Sequence, residues 1–287
     1  MRFTEHRKEK RIHGKQIVVF YHADCTDGFT SAWVAWKKFG NRAEYLPYFH
    51  DDEPPKMKNK EVYMLDMTFP EKVTRRLMKD NKTVTAIDHH VSVKSVTLMT
   101  YKSLYALSHS GCVLAWKYFF PKKPVPEFLL YIEDVDIWRQ KMKGSHFLYC
   151  YLDLFDFKFD IWSGLVRDFE ISEKKKRMIV TGDLFYRRDS RIVDHSINKN
   201  ARLVELDGHK VYAINSNNST NNFGEKLRTT RPPFAIIWHQ KKDGGVVVSL
   251  RGVGNVDCSK IAKKYGGGGH KHSAAFRLKS LKNIPWK

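Results

Sequence analysis

Near the start of the chain, successive short β-rich runs each end on a carboxylate or an imidazole, and no other feature restricts the fold as much. Ile17-Val18-Val19-Phe20-Tyr21 leads into His22-Ala23-Asp24-Cys25-Thr26-Asp27-Gly28; Val62-Tyr63-Met64-Leu65 leads into Asp66; Val84-Thr85-Ala86-Ile87 leads into Asp88-His89-His90. Short runs of β-branched, aromatic and aliphatic residues read as buried strands. Polar ligands at the same end of each run argue that the strands are parallel and that their C-terminal ends meet at one crevice. Open α/β sheets place their sites there.

The segments between these runs have helical character. Phe29, Ala32, Trp33, Trp36 and Phe39 recur at helical spacing, and Pro70 fits the first turn of a helix running to about Lys79. A strand-like stretch spans Arg42 to Phe49, Pro54-Pro55 breaks the pattern, and helices are expected from about Gly111 to Phe120 and Pro126 to Asp134. The alternation predicts an α/β fold: a mostly parallel sheet with helices on both faces, over residues 1–165. A charge-laden helix without proline follows from about Ile171 to Asn200, so residues 166–200 read as a helical linker. A smaller α/β domain over 201–287 comes next. Its strands are expected at 201–206, 209–214, 234–240, 245–251 and 273–279, and its helices near 221–228 and 257–265. Asn215 to Asn222 reads as polar loop material with no assigned role.

Lys and Arg number 51 against 31 Asp and Glu, a formal charge of +20. Such an excess draws polyanions, so nucleic acid or a phosphorylated metabolite is the expected partner; the competing reading is that the charge only keeps the chain soluble. The four cysteines, Cys25, Cys112, Cys150 and Cys258, form no CxxC pair. That disfavours zinc knuckles and a disulfide framework and favours a reducing compartment. Cys25 has no obvious base beside it and reads as a small buried filler. No apolar stretch approaches the ~20 residues of a membrane span. Met1 to Lys15 is basic without an apolar core, unlike a secretory signal, and Glu5 and Glu9 are unlike a transit peptide. A soluble, cytoplasmic protein without a membrane partner is expected.

Oxygen and imidazole donors gathered at one point suit manganese, magnesium or zinc, and this many carboxylates could hold two ions. Bland alternatives stand beside that reading. Asp24 or Asp27 could cap the helix starting near Phe29, with Gly28 easing the bend, and Asp66 could cap the helix at Pro70. Neither explains the whole set. Adjacent His89 and His90 point in different directions at a strand end, so one can ligate while the other orients ligands or substrate. In the C-terminal region Gly266-Gly267-Gly268-Gly269 could bring backbone N–H groups against a phosphate, beside His270, Lys271 and His272. Arg251, ending the run Val246 to Leu250, could add a bidentate fork. The alternative for the glycines is a flexible loop.

HADCTDG, MLD at Asp66, IDHH at Asp88–His90 and EDVD ending at Asp136, in that order, resemble the DHH phosphoesterase superfamily. The stretch Gly266 to Ala275 resembles its associated C-terminal domain. That superfamily includes RecJ-like exonucleases, nanoRNases, cyclic-dinucleotide phosphodiesterases, and some pyrophosphatases and exopolyphosphatases. The resemblance implies two divalent ions, manganese first, with magnesium or cobalt possible. Its implied ligands are His22, Asp24, Asp27, Asp66, His89 and Asp134, with Asp66 bridging and Asp136 supporting. Many relatives space the first aspartates as DxD, whereas Cys25 and Thr26 separate Asp24 from Asp27, which makes Asp27-Gly28 the safer match. Asp88 and His90 are implied catalytic residues. Arg251, Gly267, Gly268, Gly269 and His270 are implied to clamp substrate opposite the metals.

The resulting expectation is a manganese-dependent phosphodiesterase that hydrolyses short RNA or DNA oligonucleotides to mononucleotides, acting as a monomer or homodimer. Cyclic or linear dinucleotides are the second choice of substrate, and polyphosphate or pyrophosphate the third. The rival from another class is a nucleic-acid-binding module without activity.

Overall fold

The computed structural model of the chain describes residues 14–49, 52–217 and 220–287. The expectation for Met1–Lys15 therefore lies, through residue 13, outside the described residues, as do residues 218 and 219 of the polar stretch. The chain forms two compact units, the first ending at Tyr186 and the second beginning at Arg187.

In the first unit the order is β1 (Ile17–His22), α1 (Thr26–Phe39), β2 (Ala43–Tyr48), β3 (Glu61–Leu65), α2 (Glu71–Asp80), β4 (Thr83–Asp88), α3 (Lys94–Leu98) and β5 (Lys102–Tyr105). Then come α4 (Gly111–Phe119), α5 (Glu127–Asp136), α6 (Ser145–Leu152), α7 (Phe159–Phe169) and the long α8 (Ser172–Asn200), within which the units divide. The strands form a five-stranded sheet of order β2-β1-β3-β4-β5, parallel throughout. Alternate residues of β1 serve opposite faces. Val19 and Tyr21 join Leu65, Ile87 and side chains of α1, α4, α5 and α7, including Trp33, Trp116, Phe128 and Trp162. Val18 and Phe20 pack with Met64, Ala86, Phe69 and the α2 residues Val73 and Leu77. Burial on both faces is why these strands read as unbroken apolar runs.

The strand order changes direction between β1 and β3, and an open α/β sheet is accessible at the carboxyl ends of strands at such a point. Register does the rest. Tyr21 lies opposite Leu65, and Leu65 opposite Ile87, so the next residues along, His22, Asp66 and Asp88, form one row across three neighbouring strands.

The second unit contains β6 (Arg202–Leu206), β7 (His209–Asn215), α9 (Thr220–Thr230), β8 (Phe234–Gln240), β9 (Val246–Gly252), α10 (Cys258–Lys264), β10 (Gly268–Gly269) and β11 (Ser273–Leu278). Its six-stranded sheet runs β10-β11-β9-β8-β7-β6 and is mixed: β7 and β8 are parallel, and the other neighbours are antiparallel. Cys258, Ile261 and Ala262 of α10 pack with Val248, Leu250 and Phe276, while Phe223 and Leu227 of α9 pack with Ile214 and Ile237. The α/β architecture expected from the sequence holds. No helix among the described residues is long and apolar enough to cross a membrane.

Candidate metal centre

The site is built at the carboxyl ends of β1, β3 and β4. The chain leaves β1 at His22 and enters α1 three residues before the expected start, because Cys25 already has the extended backbone of a capping residue. Neither aspartate caps that helix through its side chain. Gly28 has a role different from the one expected of it: a Cβ there would stand 2.3 Å from the His22 carbonyl oxygen, so glycine allows the first turn of α1 to press against the end of β1. Asp27 reaches away from its own helix. Its carboxylate accepts from the backbone N–H of Gly111 (2.6 Å) and of Cys112 (3.0 Å), the opening residues of α4. Partial positive charge at that helix start suits a carboxylate. Gly111 is required in its turn, since a Cβ would lie 2.5 Å from Asp66 Cβ and 2.8 Å from Asp27 Oδ2.

Asp66 occupies the middle of the row with a left-handed backbone (φ 56°), a conformation aspartate tolerates better than most residues. It does not cap α2, which Pro70 precedes directly. Its side chain, 1% exposed, lies 3.6 Å from His22 Nδ1 and 3.1 Å from His89 Nε2. His89 Nε2 is also 3.5 Å from Asp136 Oδ2. Asp88 accepts from the backbone N–H of His89 (2.7 Å) and His90 (2.9 Å), from His90 Nδ1 (2.8 Å) and from Thr68 Oγ1 (2.8 Å). Both oxygens of Asp88 are thus engaged, one by His89 and His90 and the other by Thr68. The Nδ1–Asp88 bond fixes that nitrogen as the donor and leaves Nε2 for other work.

The electrostatics are those of a cluster with too many carboxylates. Burial, then the field of Asp66, pushes Asp27 up to about 6, against the pull of His89 and the Cys112 N–H. Burial, then Asp27, drives Asp136 well above the carboxylate range. Asp66 falls well below that range: burial works against ionisation, but the His22 and His89 contacts outweigh it. For His89, burial favours the neutral ring, yet the Asp66 bond and then Asp136 raise it to about 10. Burial also works against Asp88, but His90 holds it at about 2. The Cys25 thiol is pushed well up by burial and by Asp66, Asp136 and Asp27.

Three overlapping sets of donors result: His22, Cys25 and Asp66; Asp66, His89 and His90; and Asp27, His89 and Asp136. Within each set the ligand atoms lie within 4.8 Å of one another. Asp66 belongs to two sets and so does His89. Asp136 Oδ2 is buried and accepts no hydrogen bond. Mutually repelling buried carboxylates with an orphaned oxygen fit divalent cations, which would compensate their charge.

Two residues of the implied ligand set are placed elsewhere. Asp134 accepts from Lys141 N (2.9 Å), Met142 N (3.1 Å) and Ser145 Oγ (2.7 Å), so its carboxylate ties down the loop after α5; Asp136 takes the position in the cluster. Asp24 is exposed, also with a left-handed backbone (φ 52°), and is in none of the donor sets, whereas Cys25 is. Both placements have a local cause. On α5, Asp136 follows Phe128 and Ile132 at four-residue spacing and so shares their face, whereas Asp134 lies on another face, buried against the 141–145 loop. At the other position, the tight turn after β1 brings the residue capping α1, not the one before it, under Asp66.

In the second unit Arg251, the next-to-last residue of β9, lies opposite Ser273 of β11, beside the turn His270–Ser273. Its side chain passes over Gly224 of α9, where a Cβ would be 2.3 Å from Arg251 Cγ. Burial, with opposition from Cys258 and reinforcement from Arg228, lowers it to about 10. Arg228 itself pairs with Glu225 and donates to the Gly252 carbonyl. The glycine run is not a loose loop. Gly268 and Gly269 pair with Ala275 and Ala274 as β10, the N–H of Gly267 donates to Ala262 O (2.9 Å) and that of His270 to Ser273 O (2.7 Å). Gly267 is needed for packing, since a Cβ would lie 2.1 Å from Ala275 O, whereas Gly268 borders open space.

Residues 209–285 match the DHHA1 domain family. The match lies within the second unit. The part of the resemblance carried by Gly266 to Ala275, the associated C-terminal domain, is borne out by this match. A protein of Acanthamoeba polyphaga mimivirus, named only Uncharacterized protein R106, is 27% identical over 291 residues, spanning 92% of this chain and 68% of that protein. Among solved structures, the pGpG-specific phosphodiesterase PggH of Vibrio cholerae superposes with a TM-score of 0.51 at 11% identity, covering 94% of this chain and 95% of that one, a likeness of fold. A Helicobacter pylori protein gives a TM-score of 0.45 at 13% identity over 93% and 94% of the two chains.

Several site residues carry weak sequence signals. Thr68, Gly111 and Glu133 sit outside the recognisable clusters or beside a stronger acid; Glu133 accepts from Ser110 N (2.9 Å) and His109 Nδ1 (3.0 Å) and pairs with Arg139 (2.7 Å). In the second unit Arg228 lies on α9 among ordinary surface residues, and only its place beside Arg251 marks it.

Proposed function

We propose that the protein is a metal-dependent phosphodiesterase that cleaves short oligonucleotides, down to linear dinucleotides, and releases mononucleotides. The observation that carries this reading is the overlap of three donor sets on the shared residues Asp66 and His89. Divalent ions held there, manganese first, would lower the pKa of a water and neutralise charge building on the phosphate. Asp27, Asp66, His89 and Asp136 are the residues best suited to hold them, with His22 beside Asp66.

The chain's own groups do the remaining work. Asp88 fixes the ring of His90, whose Nε2 then holds a proton for, or accepts one from, a phosphate oxygen. The α4 N-terminus and Gly111 keep Asp27 in place. In the C-terminal region, Arg251 supplies a guanidinium for a phosphate. Open space beside Gly268 leaves backbone there approachable by an anion. The net charge of +20 steers polyanionic substrates toward the protein.

The choice of a short linear substrate is also in keeping with the name of the Vibrio cholerae phosphodiesterase that shares the fold. The test is a substrate panel under one condition with manganese: a linear dinucleotide, a five-mer, a cyclic dinucleotide and polyphosphate. Fastest turnover of the dinucleotide or five-mer is expected. Turnover of polyphosphate alone, or binding of all four without cleavage, would overturn the proposal.

A further inference from the structure

Cys25 has been given no role so far beyond packing, yet its sulfur is one of the donor atoms of the centre. Its Sγ, a donor atom of His22 and a carboxylate oxygen of Asp66 lie within 4.8 Å of one another. The three residues come from different places in the chain: the end of β1, the cap of α1 and the residue after β3. Cys25 is in no disulfide, and the backbone N–H of Gly28, in the first turn of α1, points at its sulfur, a contact that favours the thiolate form a metal would bind. Asp66 also belongs to the set with His89 and His90, so the thiol stands at one flank of a carboxylate shared between two positions.

The other flank differs chemically. Around Asp27, His89 and Asp136 the donors are two carboxylates and an imidazole, which suit hard or borderline ions such as manganese and magnesium. A sulfur donor changes the preference, because thiolate selects softer cations, zinc foremost. A nucleophilic role fits the surroundings poorly. Cys25 lies in the field of the Asp66, Asp136 and Asp27 carboxylates, and an activated thiolate needs an electropositive setting.

We propose that Cys25 is a metal ligand, and that with His22 and Asp66 it forms a mixed sulfur–nitrogen–oxygen position selective for zinc, cobalt or ferrous iron beside an oxygen-rich position for a harder ion. The inference rests on the metal-dependent reading of the site and adds that its two positions are unlike. On binding, the thiol proton leaves to solvent and the sulfur binds as thiolate.

The test is a cobalt(II) titration of the full-length, chelator-stripped protein followed by absorption. A thiolate-to-cobalt charge-transfer band in the near ultraviolet is expected to grow to saturation. It should vanish in Cys25→Ser while persisting in Cys150→Ser, which changes a thiol outside the donor sets. In competition titrations Cys25→Asp should lower the preference for zinc over manganese by at least about tenfold. Cobalt binding without the band, a band that survives in Cys25→Ser, or no cobalt binding at all would overturn the inference. If the band is absent but manganese-dependent cleavage is intact, only the ligand assignment falls. A Cys25-dependent band in a protein that cleaves nothing would uphold the ligand and sink the phosphodiesterase reading.

Discussion

Replacing Asp136 by asparagine should make the metal-free protein more stable and the metal-loaded protein less so. Donor oxygens of Asp27 and Asp136 lie within 4.8 Å of each other. At an effective dielectric of about 20, two negative charges at that distance repel by about 3.5 kcal/mol. Asp136 can escape by taking a proton, but carrying it at pH 7 from an ordinary value of 3.8 costs about 4 kcal/mol. Either way the metal-free fold bears a penalty of that order, partly returned by His89 at 3.5 Å. Asparagine keeps the shape and removes the charge, at about 1–2 kcal/mol for a buried amide with incomplete partners. A net gain of about 1–3 kcal/mol should follow, which raises the melting temperature by about 2–8 °C for a unit of this size.

The assay is calorimetry in chelator and again in excess manganese. Wild type should gain about 4 kcal/mol at roughly a thousandfold excess over Kd, and the variant only a fraction of that, so the order of stabilities inverts. The pH dependence has a definite sign. A folded value raised above the unfolded one means the native state holds the extra proton, so metal-free wild type gains stability as pH falls from 7 toward 4. The variant should show a flatter slope. Asp134→Asn is the contrast: it places an amide against three donors and should destabilise by about 1–3 kcal/mol with and without metal. If Asp136→Asn melts below wild type in chelator, or keeps the full manganese shift, the placement of Asp136 in the metal centre is wrong.

Further expectations concern the supports of the site. Gly111→Ala puts a methyl 2.5 Å from Asp66 Cβ and should cost about 1–3 kcal/mol, with manganese affinity falling by more than tenfold in calorimetric titration; unchanged affinity would refute the close packing of α4 on the donors. Thr68→Val removes a 2.8 Å bond to buried Asp88, so stability to urea should drop by about 1.5–3 kcal/mol and kcat should fall while manganese affinity holds. Lost metal binding instead would make Asp88 a ligand. Arg251→Ala should mainly raise KM for a dinucleotide, and a pure kcat defect would argue against phosphate binding there.

Much of the fold was legible because the inner strands are buried on both faces and so appear as apolar runs. β5 was not, because its four residues are exposed or half-buried at the sheet edge and mix lysine and serine with leucine and tyrosine. The 145–169 region, which forms α6 and α7, is rich in aromatic residues at short spacing, and that hid its helical period. At the site, every residue placed by strand register was readable, because His22, Asp66 and Asp88 follow directly from where β1, β3 and β4 stop. Choices within a turn or a helix were not. Whether Asp24 or Cys25 faces Asp66 depends on one residue of turn geometry, and whether Asp134 or Asp136 faces His89 depends on a rotation of α5 that only the 128–132–136 spacing hinted at. Nor could the separate roles of the C-terminal glycines be told apart. Their number suggests an open anion loop, but Gly267 is dictated by contact with Ala275 and its N–H is already bonded to Ala262.

The most direct test of the account is cleavage of a labelled linear dinucleotide by chelator-stripped protein as manganese is added back. No mononucleotide should appear without metal, release should saturate with manganese, and Asp66→Asn, which removes the carboxylate shared by two donor sets, should lose at least about a hundredfold. Cleavage that proceeds in chelator, or that is unchanged in Asp66→Asn, would contradict it.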